Sequence, residues 1–79
     1  MVDLIYLDEN ENVVIDTSTA ITTILLIFGS VKITSLDNNS EVGTLANDVE
    51  MLTLPANSGK YNVTANTSSK IAVVRMFYI

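Results

Sequence analysis

The chain has 79 residues, nine acids against four bases for a formal charge of −5, and no cysteine, histidine or tryptophan. That length holds one domain, residues 1–79, with a thin core, because so short a chain buries only about 60–65% of the surface that its unfolded form exposes. Composition excludes disulfides, thiolate metal sites and imidazole chemistry, which leaves oligomerisation as the way to reinforce a small core.

Apolar residues make up 48% of the chain and charged residues 16%. The charged share lies well below the roughly 25% usual for soluble domains, so some apolar surface is expected to be covered by something other than water. Polarity comes from Asn, Ser and Thr, 24 residues in all, the composition of turns and solvated strand faces. Met1-Val2-Asp3-Leu4 places no base ahead of an apolar run, and the longest such run, residues 24–28, is far short of the ~20 needed for a spanning helix. The expectation is a soluble protein made in the cytoplasm of its producer, with neither signal peptide nor transmembrane segment.

Ile, Val and Thr account for 26 residues; β-branched side chains suit a pleated sheet and are stiff in a helix. Residues 2–7 form the first strand. Leu4 and Tyr6 lie on one face and Ile5 and Leu7 on the other, so it is either central in its sheet or covered by a partner. Asp8-Glu9-Asn10-Glu11-Asn12 is a polar turn leading to a strand at 13–16. Residues 18–28 fit two patterns. Ile21, Ile24, Leu25 and Phe28 match helical spacing, but the wealth of Thr and Ile favours a strand. Gly29-Ser30 then reads as a two-residue hairpin turn into a strand at 31–36, with Leu26, Phe28, Val31 and Ile33 sharing one face. Residues 37–40 are a loop, 42–46 a short strand and 49–54 a strand stopped by Pro55. In the strand at 60–65, Tyr61, Val63 and Ala65 face one way and Lys60, Asn62 and Thr64 the other. A turn at 66–69 precedes the last strand, 70–79. Seven or eight short strands predict an all-β fold, a small antiparallel β-sandwich or jelly-roll-like barrel.

Chemistry has little to work with. Asp8, Glu9, Glu11, Asp37, Glu41 and Asp48 all lie in or beside polar turns, where carboxylates are solvated and their pKa values are not driven apart. No histidine can activate a serine, and three glycines cannot form a phosphate cradle. Asp8-x-Asn10-x-Asn12 copies half of a calcium loop but has Val13 where glycine is required and Thr19 where the bidentate glutamate belongs. The sequons at Asn38, Asn62 and Asn66 fit chance in so Asn- and Thr-rich a chain. Four bases at this net charge argue against nucleic acid. The expectation is no enzyme, no cofactor, no metal, no nucleic acid and no membrane.

Charge layout and the C-terminus carry the functional signal. Residues 1–16 hold five acids and no base, while residues 51–79 hold Lys60, Lys70 and Arg75 and no acid. Such a gradient steers either self-association or pairing of the two ends as neighbouring strands within one subunit. The last strand is apolar on both faces and must be covered on both. Leu4, Tyr6, Arg75, Met76, Phe77, Tyr78 and Ile79 are therefore the candidate interface, with residues 76–79 packed against another chain. Arg75 is either at that interface or a partnered core charge.

The stretch Leu54-Pro55-Ala56, then Gly59-Lys60-Tyr61-Asn62-Val63-Thr64-Ala65 and Lys70-Ile71-Ala72-Val73-Val74-Arg75, resembles the closing hairpin of small β-sandwich proteins of bacteriophage virions. The resemblance covers about a quarter of the chain. It implies a non-catalytic decoration, cement or fibre-base role in a virion, with copies of itself or other virion proteins as partners. The alternative is a small binding or inhibitor module that captures one protein by edge-strand pairing.

Overall fold

The computed structural model describes residues 2–47 and 50–77. Eight strands form: β1 (Val2–Leu7), β2 (Asn12–Asp16), β3 (Ala20–Phe28), β4 (Val31–Ser35), β5 (Ser40–Leu45), β6 (Met51–Leu54), β7 (Lys60–Ala65) and β8 (Ser69–Phe77). They make two four-stranded antiparallel sheets, ordered β1-β8-β3-β6 and β2-β7-β4-β5. This alternation of strands between two sheets is the jelly-roll arrangement, and it meets the sequence expectation of a small all-β sandwich.

The period-2 pattern decides what each strand buries. From the first sheet, Leu7, Ile24, Leu26, Leu54, Ile71 and Val73 point inward. From the second come Ile15, Val31, Ile33, Leu45, Tyr61, Val63 and Ala65, and the two sets form one core. The smallest extent of the molecule is 17 Å, room for two packed sheets and no third layer. Each sheet therefore has one inner face and one outer face.

The strand at 20–28 resolves the helix-or-strand ambiguity, but the hairpin after it does not form. β3 and β4 lie in different sheets, so Gly29-Ser30 is a crossover, and Phe28 faces outward while Leu26, Val31 and Ile33 face the core. β3 finds its partners in β8 and β6 instead. Its register slips between Leu26 and Phe28, so Ile27 has no counterpart on β8. Gly29 adopts φ +97°, and a Cβ there would run into Ser69 and lie 2.6 Å from the Ser68 carbonyl oxygen. Only glycine allows so close an approach. The segments expected to form a closing hairpin are likewise split, with β7 in the second sheet and β8 in the first. Among the described strands, only β4 and β5 are sequence neighbours paired in one sheet.

Hydrogen bonds pin the crossovers. Thr17, fully buried between β2 and β3, donates from Oγ1 to the Gly59 carbonyl at 2.7 Å and accepts from the Ser58 amide at 3.1 Å. Ser69 was expected in a solvent-facing turn but is buried. Its hydroxyl accepts from the Ser30 amide and lies within hydrogen-bonding distance of the Ser30 and Thr67 carbonyls. A buried hydroxyl needs such partners to offset its desolvation. The loops at 8–12 and 37–41 are exposed, as expected.

Candidate interaction surface

The two ends of the chain meet inside one subunit. β1 pairs with β8 over all six of its residues, and β2 pairs with β7. Asp3 Oδ2 accepts from Arg75 Nη1 at 2.7 Å, and Asp16 stands opposite Lys60. The Ser18 amide donates to Asp16 Oδ1 at 2.9 Å. That bond, with the Ser18 hydroxyl and the positive charges of Lys60 and Arg75, holds the Asp16 carboxyl below the usual carboxylate range. Much of the charge gradient is thus satisfied internally.

Pairing β1 with β8 also settles where β1 stands. It is an edge strand, not a central one. Its outward residues Val2, Leu4 and Tyr6 belong to a continuous apolar face across the first sheet. Reading across the registers, one row runs Leu4, Ala72, Leu25, Met51 and the next Val2, Val74, Thr23, Thr53. Met76 stands opposite Ile21 beyond them. At the other end Lys70 lies between Tyr6 and Phe28. Its ammonium sits 4.9 Å from the centre of the Tyr6 ring, and the Tyr6 and Phe28 rings are 6.2 Å apart. Such a cation–π contact keeps the one charge of this patch at its margin.

Val2, Leu4, Tyr6, Met51 and Met76 each leave 60–68% of their surface exposed. With the less exposed Phe28 they present on the order of 700 Å² of surface, most of it apolar, above the ~300–600 Å² of the largest patch on an ordinary monomer. The outer face of the second sheet is different. It carries Asn12, Asp16, Lys32, Thr34, Thr44, Lys60, Asn62 and Thr64, and the exposed apolar residues of this sheet are Val14, Val42 and, just beyond β4, Leu36. Lys32 pairs with Glu41 at 3.9 Å, and the Asn62 amide donates to Thr64 Oγ1 at 3.1 Å.

The candidate residues divide accordingly. Leu4, Tyr6 and Met76 are brought together on the apolar face. Arg75 alternates to the inward side of β8, where it meets Asp3 at the end of the sandwich. It is a partnered charge and does not line the face. Phe77 is placed by its backbone, opposite Ala20; Tyr78 and Ile79 lie outside the described residues. Ile21, Leu25 and Met51 complete the face and were not singled out from the sequence. Their signal was available, because β3 is apolar at both parities, as β1 and β8 are. Among the described residues no three acidic side chains converge as a metal site would require, no pocket opens in the surface, and no helix is long and apolar enough to cross a membrane.

No family model matches the chain, and no curated protein matches it significantly in sequence. Solved structures do resemble it. A conserved SPY1581 protein of unknown function from Streptococcus pyogenes superposes with a TM-score of 0.81 at 14% identity, covering 99% of this chain and 64% of that one. The Drosophila melanogaster CENP-C cupin domain gives 0.71 at 16% identity, over 96% of this chain and 60% of that one. The same domain bound to CAL1 gives 0.72 at 16% identity, over 96% and 64%. The likeness is one of fold, a small antiparallel β-sandwich, and the chain spans 60–64% of the length of these neighbours.

Proposed function

We propose that this chain is a non-catalytic assembly module, and that a second copy of itself covers the outer face of the β1-β8-β3-β6 sheet. The observation that carries this reading is the apolar row Leu4, Ala72, Leu25, Met51, whose outer members Leu4 and Met51 stay 61% exposed, on a face that no other described element of the subunit covers. Its area is close to the ~800 Å² that each partner contributes to a standard interface. Its charge supports a second copy in particular. Two chains of −5 repel, but Lys70 is the single charge among these outward residues, so stacking two such faces brings no acids together. Sheets stack readily face to face at about 10 Å, and a two-fold axis makes the contact self-complementary.

The neighbours support protein partnership for this fold, since the CENP-C cupin domain has been solved bound to CAL1. None of the three is described as a virion protein. A virion remains a proposed setting because jelly-roll domains build viral capsids as well as cupins.

Light scattering over a concentration series tests the reading. The wild-type chain is expected to have the mass of a dimer. Leu4→Lys and Met51→Lys, at exposed positions that leave the core untouched, are expected to yield folded monomers. A folded wild-type monomer at all concentrations would overturn self-covering.

A further inference from the structure

The sandwich has four strand edges, and they are not equally protected. β6 is four residues long and is followed by Pro55. β5 is irregular, because its pairing with β4 jumps from Gly43 to Glu41 and leaves Val42 out of register. β2 has five residues, with Glu11 just before it and Asp16 as its last residue. Shortness, proline, bulges and charges are the devices that stop a sheet edge from recruiting another strand. β1 is the longest of the regular edges. Six consecutive residues keep perfect register with β8, without Gly, Pro or bulge, and among the described residues no strand pairs with its other side.

The surroundings of this edge define what it would accept. Asp3 lies near one end of β1, and exposed Asp8 and Glu9 follow the other end, with Glu11 in the same turn and Asp16 on neighbouring β2. Arg75 already pairs with Asp3 and Lys70 sits over Tyr6, both from β8, so the acids left to a partner at this edge are Asp8 and Glu9. A second copy pairing β1 with β1 would bring two of these acidic flanks together, which disfavours the chain itself as occupant. Between the acids, Leu4 and Tyr6 offer apolar cross-strand neighbours on the outer face.

We infer that the free edge of β1 takes up an extended basic segment of a different protein as an added strand. The segment alternates apolar residues, which continue the row that begins at Leu4, and carries Lys or Arg at the end that meets the Asp8–Glu9 pair. Main-chain hydrogen bonds supply the pairing and the flanking acids select the sign of the charge. The edge shares Leu4 and Tyr6 with the self-covering face but binds through the β1 backbone, so protection of the β1 amides by peptide tests it apart from the dimer mass.

The test uses the full chain, isotopically labelled, with the capped peptide Lys-Lys-Val-Thr-Val-Thr-Val-Lys as probe and the same peptide with Glu for every Lys as control. Hydrogen exchange and amide shifts are read by NMR. The basic peptide is expected to slow exchange of the β1 amides that face away from β8 and to shift β1 more than β2, β5 or β6. The acidic peptide is expected to bind at least about tenfold more weakly, and the double variant Asp8→Asn, Glu9→Gln to weaken the basic peptide about fivefold, as two exposed charge contacts would. Equal binding of both peptides, or protection at another edge, would each overturn the proposal.

Discussion

One outer face of this sandwich is apolar and the other mostly polar, and the apolar one belongs to the sheet that holds the two nine-residue strands, β3 and β8. β4 and β7 alternate, with Ile33 and Val63 inside and Thr34 and Asn62 outside, and β2 does so apart from exposed Val14, with Ile15 inside and Asp16 outside. β1, β3 and β8 are apolar at both parities, with Ile24 and Ile71 inside and Leu4, Leu25, Val74 and Met76 towards the outside. Because both sheets feed one core, stability of the subunit cannot explain the difference. Alternation supplies the core, and the extra apolar set is what a second, external contact requires.

Substitutions separate the two roles. The largest effect belongs to the core that both sheets share. Ile33→Ala removes a fully buried side chain and is expected to cost about 3–4 kcal/mol, with both sheets melting in one transition by chemical denaturation. Next comes the crossover that places β3 and β4 in different sheets. Gly29→Ala forces a Cβ at φ +97° against Ser69 and the Ser68 carbonyl and is expected to cost about 2–3 kcal/mol, read as a lowered denaturation midpoint.

On the apolar face the expected effect shifts from folding to association. Leu4→Lys should leave the unfolding free energy of the monomer within about 0.5 kcal/mol while weakening dimerisation by about 2 kcal/mol or more, measured by sedimentation. Thr34→Lys on the polar face should change neither quantity measurably, and a dimer lost through that variant would reverse the assignment of the two faces.

The smallest effect concerns the loop between β5 and β6. The Ala46 and Asn47 amides both donate to Glu50 Oε1 at 2.8 Å, which holds the Glu50 carboxyl below its ordinary value. A depressed folded-state pKa contributes order that is present above the unfolded value and is lost as pH falls through the folded one. Exchange at the Ala46 and Asn47 amides should therefore accelerate as the pH falls below the ordinary glutamate range, beyond the intrinsic pH trend, and Glu50→Gln should show that acceleration at neutral pH.

Much of the fold was legible because period-2 placement is a local signal. The strand at Lys60–Ala65, with Tyr61, Val63 and Ala65 inward, follows directly from it. Strand order was not legible, because pairing is non-local. Gly29-Ser30 has the chemistry of a hairpin turn, and what makes it a crossover is Ser69, 40 residues further along the chain, packed beneath it. The interaction face was half legible. Two-sided apolarity marked Leu4, Tyr6 and Met76, while Ile21, Leu25 and Met51 joined them only once β3, β6 and β8 were known to be neighbours. Arg75 shows the same limit from the other side. Its place in an apolar strand suggested the interface, yet its parity turns it inward to Asp3.

The central claim is that one apolar sheet face meets its own copy, and a mixed-label NMR experiment tests it most directly. Isotopically labelled and unlabelled chains are combined, and nuclear Overhauser contacts between the two populations are recorded. The account predicts intermolecular contacts among the methyl groups of Leu4, Leu25 and Met51. Intermolecular contacts confined to Val14, Thr34 or Thr64 on the opposite face, or none at millimolar concentration, would contradict it.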